Sequence, residues 1–172
     1  RFDVPAGAVH SAVVGPSGGT VTGASGWSAT LPSGAVSGPT SIALTALGVA
    51  GLPAGIPEGF DFLAAVKLST GGVDFGLPVT LTYVTATPPP SGRDILLVTF
   101  EDRGGFLIAR PVARASYDAA SQTLRSNPID RATFPWPGVR GEGSFAFLLA
   151  RDPLAFVAGR VLDVDASPLR DT

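Results

Sequence analysis

Few residues in this chain have the types needed for hydrolysis. His10 is the single histidine, and GPSGG at 15–19, which has the Gly-x-Ser-x-Gly spacing, is typical of a turn before a strand and not of a strand-to-helix elbow. A Ser-His-Asp triad needs a histidine base and a serine presented to it by such a turn or its equivalent. We interpret His10 as an exposed loop residue, so a serine hydrolase is not expected.

Carboxylates are the next candidates for chemistry. Glu101 and Asp102 stand in EDRGG, which is typical of a hairpin tip, where acidic side chains are solvated. Asp163 and Asp165 could ligate calcium, but the spaced ligands and the glycine of a calcium loop are absent from DVDAS. We therefore predict no metal site, no cofactor and no enzyme.

The aromatic residues offer a binding surface as an alternative. Trp27 begins a strand-like run and is predicted to lie in the core, whereas Trp136 stands between two prolines and cannot join a regular ladder. We predict a contact loop of Trp136, Arg140 and Glu142. A carbohydrate-binding module that uses Trp136 stays open, because aromatic rings can stack on sugars.

The composition predicts an all-β chain with many turns. Glycine accounts for 22 of the 172 residues and proline for 16, both spread along the sequence. The net charge is −2 with scattered arginines, so the basic surface of a nucleic-acid binder is missing. No apolar run is long enough to span a membrane, so membrane insertion is not expected.

Alternation of apolar residues is the strongest periodic signal, and it predicts antiparallel β-sandwich-like units. In FDFLAAVKL, we expect Phe60, Phe62, Ala64, Val66 and Leu68 to share one face of a strand. TPPPSG, residues 87–92, is the best boundary between units. We predict a first β unit at 13–86 and a smaller second one at 93–150, packed on the first or continuous with it.

The segment LPSGAV is expected to form a tight turn between two strands. Pro32 ends the first strand, because it cannot donate to a ladder, and Gly34 supplies a positive φ. With the Gly18-Gly19 start and the later Ile42-x-Leu44 strand, this order resembles the ZU-five domain, a β module of ankyrins, netrin receptors and bacterial surface proteins. The resemblance covers about residues 14–85 and implies structural turns at Gly18, Gly19, Pro32 and Gly34.

The second half and the tail extend this resemblance. GEGSFAFLLARD is similar to the final strand of such proteins, and residues 154–172 resemble the start of a carboxypeptidase-regulatory-like, immunoglobulin-like module. Some relatives cut themselves at a His-Phe-Ser step. Here Ser144 follows Gly143, and Glu142 takes the place of the histidine. Cleavage between Gly143 and Ser144, with Ser144 as the nucleophile and Glu142 as its base, is therefore an alternative function.

The function that these patterns favour is a non-catalytic spacer or adhesive module of a secreted or cell-surface bacterial protein. The expected partners are neighbouring domains of the same polypeptide and a protein or glycan at the cell surface. An autoproteolytic module and a carbohydrate-binding module remain the alternatives.

Overall fold

The computed structural model describes residues 9–127 and 136–154, and its architecture confirms the prediction of an all-β antiparallel fold. Ten strands lie in the described part of the chain. They are β1 (His10–Val14), β2 (Gly19–Thr22), β3 (Trp27–Leu31), β4 (Thr40–Leu47), β5 (Phe60–Ser69), β6 (Thr80–Val84), β7 (Ile95–Arg103), β8 (Phe106–Asp118), β9 (Thr123–Ser126) and β10 (Gly143–Ala150).

These strands form one antiparallel sheet in the order β1-β4-β5-β10-β7-β8-β9-β6-β3-β2. The sheet curls until it is nearly closed, like a barrel. The last strand, β10, lies between β5 and β7, and β9 lies between β8 and β6. Strands from residues 13–86 and from residues 93–150 are therefore hydrogen-bonded neighbours, while the proline-rich segment forms the connection from β6 to β7.

Inward-facing side chains from all around the sheet form the barrel core. Trp27 is only 1% exposed, which confirms its predicted place in the core. Its ring stacks on Phe147 at a centroid distance of 5.5 Å and contacts Tyr83 at 5.0 Å. Burial of such large aromatic rings is a main source of stability in a fold without disulfides.

A second apolar cluster lies on the outer face of the sheet, and we call it the outer cluster. Its buried members are Ala65, Leu96, Val98, Ala146 and Leu148. Side chains from the segment between β4 and β5, including Leu52 and Ile56, pack over it. Strand β10 is consequently buried on both of its faces.

The prediction that Phe60, Phe62, Ala64, Val66 and Leu68 share one face of β5 is wrong. Phe147 of β10 pairs with Ala64, but the next residue pairs with Phe62, so Leu63 is an extra residue in a β-bulge. A bulge shifts the alternation by one position. Phe60 and Phe62 therefore join the outer cluster, while Ala64, Val66 and Leu68 face the barrel core.

The turns follow the sequence closely. Gly104 and Gly105 join β7 to β8 with positive φ at both positions, as two-residue hairpin turns require, which confirms the hairpin tip. Gly34 has a φ of +82°, and its amide donates to the carbonyl of Pro16 at 2.8 Å. Gly18 has a φ of +76°, and a Cβ there would lie 2.5 Å from the carbonyl oxygen of Leu31, so no larger residue fits.

The remaining expectations concern the C-terminal tail and the membrane. Apart from Leu154, the predicted following module at 154–172, with Asp163 and Asp165, lies outside the described residues. The described residues contain no helix long and apolar enough to cross a membrane.

Candidate functional site

A cleft of about 430 Å³ contains two of the three residues predicted for the contact loop, and we call it the Arg140–Glu142 cleft. The segment from Pro137 to Gly143 forms one wall, and the hairpin residues Thr99, Glu101 and Arg110 form another. Buried Phe75, Val112 and Phe145 supply apolar surface inside it. The cleft thus combines an apolar interior with charged side chains at its margin.

Glu142 uses its carboxylate to hold a neighbouring turn. Its Oε2 atom accepts hydrogen bonds from the backbone amides of Thr70 at 3.3 Å and Gly72 at 3.1 Å. These amides, that of Gly72 first, lower the pKa of Glu142 below its usual value, and the positive charge of Lys67 adds to the effect. A carboxylate with a lowered pKa is a weak base, so this environment opposes the general-base role considered for Glu142.

Arg140 is also used to fix the backbone. Its guanidinium donates to the carbonyl of Pro137 at 3.0 Å and to that of Gly76 at 2.9 Å. The carbonyl of Arg140 accepts from the amide of Phe75 at 2.6 Å. Arg140 therefore ties the 137–143 wall to the loop between β5 and β6.

Sequence reasoning missed Arg110, and it misassigned Glu101. Arg110 donates from Nε to Oε1 of Glu101 at 2.6 Å, and the two form a half-buried ion pair. The prediction that Glu101 is only a solvated turn residue is therefore wrong. The sequence of the hairpin indicates this pair. Counting outward from the Gly104-Gly105 turn places Glu101 opposite Ile108, and Arg110 lies two residues further along β8 on the same face.

Ser144 is the second residue of β10 and pairs in register with Lys67 of β5. Its carbonyl accepts a hydrogen bond from the hydroxyl of Thr99 at 3.4 Å. Self-cleavage by an N-to-O acyl shift needs a strained peptide bond and a base at the hydroxyl. The Gly143-Ser144 bond instead belongs to a regular ladder.

The other candidates lie away from this cleft. Trp136 is half-buried and packs on the outer cluster, so it does not line the cleft with Arg140 and Glu142. His10 is exposed as predicted, but it begins β1 rather than lying in a loop. Within 9–127 and 136–154, no three histidine, cysteine or acidic residues are grouped as metal ligands would be.

Comparison of the chain with protein-family models and with curated proteins found no match.

Proposed function

We propose that this chain is a non-catalytic β module, ZU-five-like in type, with a structural or interaction role in a multi-domain protein. The observation that supports this most is the position of β10. It is hydrogen-bonded to β5 on one edge and to β7 on the other, and both of its faces are buried. A strand held on both edges is well suited to withstand load passed along the chain.

The charged residues of the Arg140–Glu142 cleft support a structural role in a second way. Glu142 caps the turn at residues 70–72, Arg140 bridges two loops, and Glu101 pairs with Arg110 across a hairpin. A catalytic group must be able to meet a substrate and exchange a proton near its operating pH. These side chains instead form hydrogen bonds with the protein's own backbone and side chains.

The location and partners that we propose follow the sequence patterns. The turn order of residues 14–85 and the module-like tail favour a secreted or cell-surface bacterial protein, with neighbouring domains as the first partners. Fractionation of the source cells, followed by detection with an antibody to this chain, tests the location. Recovery only in the cytosolic fraction would contradict it.

Force spectroscopy tests the load-bearing role. The 172-residue chain is placed between marker immunoglobulin-like domains and stretched from its two ends. We expect one cooperative unfolding event at a force comparable to that of the markers. Gradual extension before any marker unfolds would contradict a spacer function.

Intact-mass spectrometry separates the module from the autoproteolytic alternative. We expect the purified chain to remain one piece after days at neutral pH, because Glu142 is committed to Thr70 and Gly72. Two fragments divided between Gly143 and Ser144, and lost in Ser144→Ala, would instead establish an autoprotease.

A further inference from the structure

We propose, resting on the secreted or cell-surface location given under the proposed function, that Thr87 is a site of O-glycosylation. In this modification a transferase joins a sugar to the side-chain hydroxyl group. Thr87 begins the proline-rich connection between β6 and β7, whose sequence at 87–92 is TPPPSG. Hydroxyl residues next to prolines are the sequence pattern of O-glycosylated stalks, and this connection has that pattern over a short stretch.

Pro88 restricts the backbone of Thr87 to an extended conformation. A proline ring clashes with a helical residue before it, so the preceding residue is shifted to the extended region. Within 9–127 and 136–154, Thr87 is the only serine or threonine that a proline directly follows. The connection lies between the end of β6 at Val84 and the start of β7 at Ile95, and its prolines have no N–H to donate to a sheet. Thr87 is therefore presented outside the sheet, in a form in which peptide segments are commonly bound by other proteins.

The structure distinguishes the two threonines at this end of β6. Thr85 is half-buried, and its hydroxyl donates to the carbonyl of Thr87 at 3.3 Å and accepts from the amide of Thr87 at 3.3 Å. Thr87 is exposed, and its hydroxyl makes no hydrogen bond within the described part of the chain. Thr85 thus fixes the backbone of Thr87 and leaves the Thr87 hydroxyl open to an enzyme.

The proline segment is anchored beside the ends of the strands that it connects. Residues 87–90 line a cavity of about 140 Å³ together with Phe62, Tyr83 and Leu124. Pro89 is half-buried, whereas Pro88 and Pro90 are exposed. A transferase can therefore reach the outer side of this segment while the barrel stays folded.

Other exposed residues of the right chemistry are less well presented. Ser17 follows Pro16, but it lies in a turn that the amide of Gly18 closes on the carbonyl of Gly15 at 3.0 Å. Ser91 also lies in a turn, next to Gly92 with its φ of +76°. N-linked glycosylation is excluded, because the single asparagine of the chain is followed by a proline.

The reaction needs an activated sugar, in which C1 is bonded to a phosphate, as its donor. Oγ1 of Thr87 forms a bond to C1 while the bond between C1 and the phosphate oxygen breaks. The phosphate leaves with the electron pair of that bond, and a base of the transferase accepts the hydroxyl proton. The chain itself supplies the nucleophile and the extended segment that the transferase binds.

Mass spectrometry of the protein from its source cells tests the proposal. The full protein is recovered from the medium or the cell surface and digested with trypsin, which releases residues 68–93 as one peptide because Lys67 and Arg93 bound it. We expect this peptide to be heavier than its sequence by one or more whole sugar residues, with fragmentation placing the sugar on Thr87. The increment should be lost in Thr87→Val and kept in Thr87→Ser, since serine retains the hydroxyl group.

Ser17→Ala is the matched control, because it removes an exposed hydroxyl beside a proline in a turn and should leave the increment unchanged. Thermal melting should show all three variants folded. Recovery outside the cell with the bare peptide mass overturns this inference alone, as does a phosphate increment or a sugar on Thr85 or Ser91 with Thr87 unmodified. Recovery only in the cytosol overturns the proposed location together with the inference.

Discussion

Two regions of the barrel's outer surface differ, although both belong to the same sheet. Over β5, β10 and β7 the outer face is apolar and covered, with Ala146 and Leu148 fully buried. Over β3, β6 and β9 it is polar and open, with Thr30 and Arg125 exposed. An antiparallel sheet can have one face solvated, so the open face needs no explanation beyond alternation. The covered face depends on other segments that fold over it.

The comparison shows which face contributes to stability. The covered face excludes water from the centre of the sheet and holds β10 on both sides. The open face presents hydroxyl groups that lie outside the core, and some of them hydrogen-bond across strands, as Thr20 does with Thr30 at 3.1 Å. We therefore expect substitutions on the covered face to change the free energy of unfolding more than those on the open face.

The largest effect is expected from Leu148→Ala. Leu148 has no exposed surface and belongs to the outer cluster, so the substitution leaves a cavity and should cost about 3 kcal/mol of unfolding free energy. Urea denaturation measures this. Arg125→Ala on the open face is the control and should stay within about 0.5 kcal/mol of the parent protein. Equal losses for the two variants would remove the distinction between the faces.

A smaller loss is expected from Gly34→Val, in the turn that follows β3 of the open face. The φ of Gly34 is +82°, and a β-branched residue there should cost about 1–2 kcal/mol. Gly38→Val is the matched control, because an added Cβ at Gly38 meets no atom within 4 Å and its φ is not in the left-handed region. Identical melting temperatures for the Gly34 variant and the parent would show that the turn is not under this constraint.

The covering segment should contribute less than the strand beneath it. Ile56→Ala removes a half-buried side chain that packs on the outer cluster, and we expect a loss of about 1 kcal/mol. Val49→Ala in the same connection is the control, because Val49 is 53% exposed. If the two variants unfold at the same urea concentration, the segment does not stabilise the covered face.

The smallest effect is expected from Glu142→Gln, and it should depend on pH. The amides of Gly72 and Thr70 lower the pKa of Glu142 in the folded state, so its ionised form stabilises the protein. That stabilisation is present above its usual pKa of 4.5 and is lost as the pH falls through the lower folded value. Melting curves should show the parent more stable than the variant at pH 7, with the difference shrinking in acid. A constant difference would exclude this linkage.

The sequence by itself determined the fold class and most of the turns. Period-two alternation requires strands wherever one face is buried, as in β6 with Leu81 inside and Thr80 and Thr82 outside. Glycine pairs determine hairpin geometry locally, which is why Gly104-Gly105 could be identified without tertiary information. The burial of Trp27 also followed from its place at the start of an alternating run.

Only the tertiary structure decided which strands become neighbours and what covers them. The bulge at Leu63 reverses the faces of Phe60 and Phe62, because an extra residue in one strand is defined only against its partner, β10. The Arg140–Glu142 cleft likewise joins residues far apart in the chain. Its assembly depends on sheet order, which is set by the combined burial of many side chains and not by any local pattern.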